Sequence, residues 1–196
     1  MTARRGYAKG IAKREEILAR ALEVFAEKGY RKASLREIAE SVGLSQAGLL
    51  HHFSSKEELF AEVLRKRDEV DSRSTGFDID GTDAFDGLVG IVRHNAEVPG
   101  LVQLYATISA EAADPDHPGH AYFVDRYATI VAGLEQHIRA EQQAGRVRSD
   151  ADPRSLARLA VAVADGMQVQ WMLDETADMA TALDAFRSLI RTAGPA

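Results

Sequence analysis

The chain of 196 residues contains no cysteine and no apolar run long enough to span a membrane. The absence of cysteine excludes disulfide scaffolds, thiolate metal sites and a cysteine nucleophile. A membrane-spanning helix needs about 18 or more consecutive apolar residues, which this sequence lacks. We therefore expect no membrane partner, and the absence of cysteine suits the reducing cytoplasm, where we expect the protein to lie.

The chain also lacks an excess of positive charge, because its formal net charge is −6. The charge is unevenly distributed, however, and no lysine follows Lys66. Residues 1–67 hold 14 basic and 9 acidic side chains, a net charge of +5, whereas residues 68–196 hold 10 arginines and 21 acids, a net charge of −11. The first third of the chain therefore suits a phosphate-bearing partner, although charge alone names none.

Strand-like alternation is missing, and apolar residues instead recur at helical spacing between short loops. We predict an all-α protein of about nine helices, with a linker at 72–82. Ser34 and Glu37 have the spacing of a capping box, and Ser54 or Ser55 is expected to cap the fourth helix. The predicted helices cover roughly 12–28, a short helix from 34, 45–52, 55–71, 83–97, 99–112, 119–143, 153–174 and 178–193.

The segment from Leu35 to Phe53 carries the functional signal. Two short helices meet at a tight turn, where Gly43 can adopt the left-handed backbone conformation and Ala39 allows close helix crossing. This pattern predicts a helix-turn-helix motif, whose second helix enters the major groove of DNA.

Residues 12–60 resemble the DNA-binding domain of the TetR family of transcriptional regulators. The resemblance implies a DNA-binding head at 1–54 and a regulatory body at 55–196 that binds a small-molecule effector and forms a homodimer on a palindromic operator. Repression is the expected sign of regulation, and activation is the alternative. A weaker resemblance covers Asp165 to Asp174. The matching head residues are Arg14 to Leu18, Ala21 to Tyr30, Ser34 to Ala39, Val42 to Ser45, Leu49 and His51 to Leu59.

The resemblance also implies which residues face double-stranded DNA. Gln46 could read an adenine edge, or it could simply be solvated. Only one of the two adjacent histidines is expected to touch DNA, and the basic N-terminus is either a minor-groove arm or plain surface. The expected contacts are Arg4, Arg5, Ser34, Arg36, Ser45, Gln46, Ala47, Gly48, His51, His52 and Lys56.

This chain departs from the family at two positions of the second motif helix. Family members often have lysine where this chain has Gln46, and tyrosine where it has Leu50. Losing both should weaken phosphate anchoring or move it to the N-terminal arm.

The body is expected to contain an apolar or aromatic effector pocket and a dimer surface on the last two helices. His94, Gln103, Arg126 and Gln168 are candidate polar members of the pocket. The expected pocket residues are Phe85, Val89, Leu104, Tyr105, Phe123, Tyr127, Met167 and Trp171. The expected dimer residues are Ala162, Met179, Leu183, Phe186 and Ile190.

Two other classes of function compete with DNA binding. Asp114, Asp116, His117 and His120 could be written as a metal site of an enzyme, but the prolines between them favour a turn. The sequence has no Gly-rich phosphate loop and no nucleophile elbow. We therefore expect no catalysis, cofactor or metal. A helical protein-binding adaptor is the second rival, and the basic head argues against it.

Overall fold

The computed structural model describes residues 2–75, 84–97 and 101–192. In these residues the chain forms nine α-helices, and the only β pairing is a single bridge between Val147 and Arg191. The predicted all-α class is confirmed. The helices are α1 (Thr2–Lys32), α2 (Leu35–Ser41), α3 (Gln46–Leu50), α4 (Lys56–Thr75), α5 (Ala84–Glu97), α6 (Leu101–Glu111), α7 (His120–Gln143), α8 (Pro153–Leu173) and α9 (Met179–Ile190).

The first helix differs most from the prediction, because it begins at Thr2 rather than near Ala12. The added segment contains no proline, and its two glycines, Gly6 and Gly10, weaken the helix without ending it. Arg4 and Arg5 therefore lie within α1 and not on a separate arm before it. The predicted end of the first helix at residue 28 is present as a break inside α1, where Gly29 has φ 73° and ψ 166°.

Of the two predicted serine caps, the one before α2 is absent and the one before α4 is present. Ser34 precedes α2 in an extended conformation but makes no side-chain capping bond, so the predicted capping box is wrong. Glu37 pairs instead with Lys28 of α1. The α4 start follows the expected pattern, because the Glu58 N–H donates to Ser55 Oγ at 3.1 Å while the Ser54 N–H donates to the Glu58 carboxylate at 2.7 Å.

The chain divides into two compact units, Met1–Glu69 with Thr107–Ala121, and Val70–Ala106 with Tyr122–Ala196. In the first unit the rings of Phe25 and Phe60 meet edge to face at 5.1 Å, and both side chains are fully buried. The second unit has a continuous apolar core contributed by α5, α7, α8 and α9. Burial of such faces is the main favourable contribution to folding.

Parts of three sequence predictions lie outside the described residues. Of the proposed linker at 72–82, the first four residues belong to α4 and the rest are not described. Pro99 and residue 193 are also outside the described ranges, and α9 ends at Ile190. Among the described helices, none is both long and apolar enough to cross a membrane.

Candidate nucleic-acid interface

Helices α2 and α3 form the predicted helix-turn-helix. Gly43 has φ 69°, which is the left-handed conformation that the turn requires. The Leu44 N–H donates to the Ala39 carbonyl at 2.9 Å and closes the turn. Ser45 then caps α3, because its Oγ accepts the Gly48 N–H at 3.1 Å. The turn and the start of α3 are thus fixed by local hydrogen bonds.

Arg14 of α1 holds the end of α3 in place. Its Nη1 donates to the His52 carbonyl at 2.6 Å, and its guanidinium carbon lies 4.1 Å from the centre of the Phe53 ring. Its Nη2 also pairs with Glu62 of α4 at 3.2 Å. Lys13 adds a hydrogen bond to the Val42 carbonyl at 2.5 Å. Two basic residues of the first helix therefore stabilise the motif rather than remaining available for phosphate.

The inner and outer faces of α3 are clearly separated. Leu49 is fully buried and anchors the helix. Gln46 and Ala47 are exposed, and Gly48 is half-buried. A Cβ atom at Gly48 would lie 3.4 Å from Ser45 Oγ, in ordinary van der Waals contact with the cap. The outward face of α3 thus presents one amide and otherwise small surfaces.

Leu50 is the residue of this face that sequence reasoning did not include among the contacts. Its side chain is 37% exposed although leucine is apolar. It lies four residues after Gln46, and positions four apart share one face of a helix. The spacing in the sequence is therefore a signal that Leu50 belongs with Gln46 on the exposed face.

The two adjacent histidines have different surroundings. His51 is exposed, whereas His52 is half-buried and its carbonyl accepts from Arg14. Their ring centres are 6.2 Å apart. Ser34 is exposed before α2, and Arg36 is exposed with its Nε 2.8 Å from the Glu40 carboxylate. The exposed positions therefore favour His51 over His52 as a contact.

Lys56 at the start of α4 already has partners within the protein. Its Nζ lies 4.5 Å from the centre of the Tyr30 ring and 3.5 Å from the Arg31 carbonyl oxygen. Burial lowers the pKa of Lys56. The Tyr30 hydroxyl donates to Glu57 at 2.8 Å, which fixes the ring beneath the ammonium group. A phosphate contact by Lys56 stays a prediction.

In the second unit, the residues expected to form one pocket have separate locations. Tyr105 and Tyr127 line a small cavity together with Arg126 and Gln168, whereas His94 and Gln103 are not among its lining residues. Trp171 lines a different cleft of about 370 Å³. The remaining residues are buried or half-buried in packing positions: Phe85, Val89, Leu104, Phe123 and Met167.

Most of the expected dimer residues face inward. Met179, Leu183 and Ile190 are at most 5% exposed and belong to the core of their own unit, because the apolar face of α9 packs on α5 and α8. Phe186 is half-buried, and Ala162 is exposed. The exposed stripe of α8 consists instead of Leu159, Ala162, Gly166, Val169 and Leu173.

The segment from Asp114 to His120 forms consecutive turns. The Asp116 N–H donates to Asp114 Oδ1 at 3.1 Å, and the His117 ring packs against Tyr30 and Phe60 with centres 5.4 Å and 6.1 Å away. Within the described ranges, no group of three or more histidine or acidic side chains could hold a metal ion.

Comparison with known proteins relates this arrangement to bacterial gene regulators. Residues 17–63 match the family model described as bacterial regulatory proteins of the tetR family. The chain is 30% identical over 189 residues to the HTH-type transcriptional repressor Rv1474c of Mycobacterium tuberculosis, covering 92% of this chain and 94% of that protein. It is 28% identical over 178 residues to the HTH-type transcriptional regulator UidR of Escherichia coli K12, covering 90% of each.

A solved structure shares the fold over nearly the whole chain. This is the putative transcriptional regulator from Saccharomonospora viridis in complex with choline. It is 25% identical, has a TM-score of 0.73, and the match covers 92% of this chain and 98% of that one.

Proposed function

The chain belongs to the TetR family of bacterial regulatory proteins, and on that premise we propose that it is a repressor that binds a palindromic operator as a homodimer and is released by a small-molecule effector. Its relatives are transcriptional regulators and not enzymes, which confirms the expectation of a non-enzymatic DNA-binding protein. Double-stranded DNA lies in the cytoplasm of a bacterium, so we place the protein there.

The observation that carries the proposal is the exposed face of α3 on a motif held by Arg14. Gln46, Leu50 and His51 point away from the core, and the first unit buries the opposite face of the helix through Leu49. A helix exposed in this way has the position of a recognition helix that enters the major groove. Gln46 would read an adenine edge, and Ala47 or Leu50 would meet a thymine methyl group.

We assign the phosphate contacts to residues that surround α3. Ser34 is exposed, and its hydroxyl makes no capping hydrogen bond. His51 and Arg36 are also exposed. Ser45, Gly48, His52 and Lys56 stay in the proposed interface at its edge. Arg4 and Arg5 would approach the duplex from the first turns of α1, and their charge is part of the +5 of the first 67 residues.

We propose that two copies pair through the exposed stripe of α8 and the neighbouring surface of α9. Leu159, Val169 and Leu173 are 52%, 48% and 85% exposed, and Leu189 of α9 is 77% exposed. Ala162 and Gly166 on the same stripe would let helices approach closely. The resulting interface is isologous, and its symmetry matches that of a palindromic operator.

We propose a functional boundary at residue 54, with DNA binding by 1–54 and effector binding and dimerisation by 55–196. The effector would be largely apolar or aromatic and would occupy the second unit. The choline held by the Saccharomonospora viridis protein supports a small-molecule ligand for this chain too. An effector that lowers DNA affinity by roughly 5- to 150-fold needs a coupling free energy of about 1–3 kcal/mol.

Fluorescence anisotropy of a labelled operator duplex across a series of salt concentrations tests this function. DNA binding releases counterions, so the logarithm of the association constant should fall linearly with the logarithm of salt concentration. A protein-binding adaptor would leave the labelled DNA unbound or would bind its partner with little dependence on salt.

A further inference from the structure

A small cavity in the second unit combines apolar walls with one polar corner. Its volume is about 40 Å³, and α5, α7 and α8 supply apolar wall residues such as Leu88, Ile130 and Val161. Since a water molecule needs at least ~10–15 Å³ by this measure, the cavity has room for about three water-sized groups. It therefore suits the head group of a ligand and not a whole large molecule.

The polar corner contains a buried acceptor without a donor. Gln168 is 7% exposed, and its Nε2 donates to Asp165 Oδ1 at 3.4 Å. This contact fixes the orientation of the amide, because the reversed amide would place two acceptor oxygens together. The Gln168 Oε1 atom is buried and accepts no hydrogen bond. A buried carbonyl oxygen in this state is costly, and a ligand donor would satisfy it.

Asp165 is the second acceptor in the corner, and its charge is incompletely compensated. The Tyr127 hydroxyl donates to its Oδ2 at 2.7 Å. Burial nevertheless raises the pKa of Asp165, and this outweighs both the Tyr127 hydrogen bond and the nearby charge of Arg126. The Arg126 guanidinium carbon lies 4.8 Å from the centre of the Tyr105 ring, so the arginine has an aromatic partner of its own. A positively charged ligand group in contact with the Asp165 carboxylate would offset this burial cost.

We propose that this cavity binds the ammonium group of a small organic amine through Asp165 and Gln168, and that such an amine is the effector. The assignment rests on the proposed regulatory function and names the ligand class of its sensing site. An ammonium group offers three donors and a positive charge, which satisfies both acceptors at once. A hydroxyl offers a single donor, and a carboxylate or phosphate group offers none. The apolar walls would receive the carbon chain of the amine.

Direct binding to the full chain without DNA tests the ligand class. Ethylammonium chloride, ethanol and sodium acetate are compared at equal ionic strength by NMR titration and by the midpoint of thermal unfolding. We expect saturable binding and a raised midpoint with ethylammonium, weaker binding with ethanol and none with acetate. Acetate binding as tightly as ethylammonium, or no saturable ethylammonium binding, would overturn the proposal.

Variants separate a specific ammonium site from a general effect of charge. Asp165→Asn keeps the shape but removes the charge, and Gln168→Met removes the orphaned carbonyl. We expect Asp165→Asn to weaken ethylammonium binding about 10- to 100-fold, the range for a hydrogen bond to a charged group. Asp125→Asn, an exposed acid of α7, is the control and should bind normally. Unchanged binding by Asp165→Asn would contradict the assignment.

We expect Asp165→Asn to leave the folded protein at least as stable as the unsubstituted one. Because the folded-state pKa of Asp165 is raised, its ionisation opposes folding at neutral pH. The asparagine variant should therefore unfold at the same or a higher temperature than the unsubstituted protein, and lost amine binding would not reflect unfolding.

A DNA-binding measurement with and without the amine distinguishes this inference from the proposed function. Saturating ethylammonium should lower operator affinity relative to sodium chloride at equal ionic strength. Amine binding without any change in operator affinity would refute the effector role. Operator binding by a protein that binds no amine would refute the ligand class and leave the regulatory function standing. Amine binding by a protein that binds no DNA would refute the regulatory function and leave the amine site standing.

Discussion

At the scale of single residues, the proposed base readout by α3 depends on very few side chains. Gln46 is the only exposed side chain of α3 with both a donor and an acceptor, since Ala47 is small and Leu50 is apolar. A glutamine amide can pair with both polar atoms that adenine presents in the major groove. The sequence alone predicted this role for Gln46, because the residue type and its place in the motif carry the chemistry.

Replacing Gln46 therefore tests base readout. We expect Gln46→Ala to lower operator affinity by about 1–3 kcal/mol and to relax specificity at one base pair of each half-site, as for a lost bidentate contact. Competition binding with single-base operator variants measures both effects. The matched control is Gln136→Ala, on the exposed surface of α7, which should bind like the original protein. Equal loss of affinity for all operators would mean that Gln46 contacts phosphate instead.

Arg14 is a residue whose role the sequence did not predict. Basic charge in the first helix looked suited to phosphate, but its three contacts depend on chain segments brought together by folding. Arg14→Ala removes a charged hydrogen bond and a cation–π contact, so we expect a loss of about 2–3 kcal/mol in unfolding free energy. Urea unfolding monitored by circular dichroism measures this loss.

The control for Arg14 is Arg20 on the same helix. Its exposed pair with Glu23 is a local contact on one helix, for which Arg20→Ala should cost about 0–0.5 kcal/mol. Similar losses for the two variants would show that the contacts of Arg14 with α3 and α4 contribute nothing beyond a surface pair.

At the scale of elements, helical periodicity predicted the nine helices of the described ranges, and the positions of their ends depended on local signals of different strength. The breaks at Gly29 and Gly43 agree with the prediction, because a positive φ depends on backbone conformation alone. The capping box at Ser34 was not, because Glu37 has a competing partner in Lys28, which only the packed helices reveal. The sequence predicted Met179, Leu183 and Ile190 as dimer residues, but they face the core of their own unit. The pattern could not separate the two, because apolar residues are typical of both a core and an interface.

The turn between α2 and α3 gives an element-scale prediction. Since Gly43 has φ 69°, Gly43→Ala should destabilise the protein by about 1–2 kcal/mol and weaken operator binding with it. Gly10→Ala is the opposite case, because Gly10 lies in helical backbone with open space around it. Thermal unfolding of both variants should show a lower midpoint for the first and an unchanged or slightly higher midpoint for the second.

At the scale of the whole molecule, the net charge of −6 is the sum of a basic first third and an acidic remainder. The basic first third accompanies the DNA-binding motif, while the acidic remainder is repelled by phosphates and keeps that part of the surface from binding DNA nonspecifically. The sequence predicted this division and the family. It named Arg126, Tyr127 and Gln168, which line the small cavity, but not Asp165, whose hydrogen bond with Tyr127 forms only after α7 and α8 have packed.

The proposed dimer is testable through one exposed side chain of α8. Val169→Glu places a charge in the centre of the stripe, where two copies would bring it close to its symmetry mate, so we expect monomers and reduced operator affinity. Light scattering after gel filtration should change from about twice 21.4 kDa to the monomer mass. Val124→Glu, an equally exposed valine on α7, should remain dimeric.

Selection of bound duplexes from a random pool, followed by sequencing, tests the central claim most directly. The account predicts an enriched palindrome with two identical half-sites, whose centres lie about 34–36 Å apart along the duplex or at a multiple of that distance. The Gln46→Ala variant should enrich the same palindrome with one relaxed position in each half. Enrichment of no sequence, or of a single half-site without symmetry, would contradict the account.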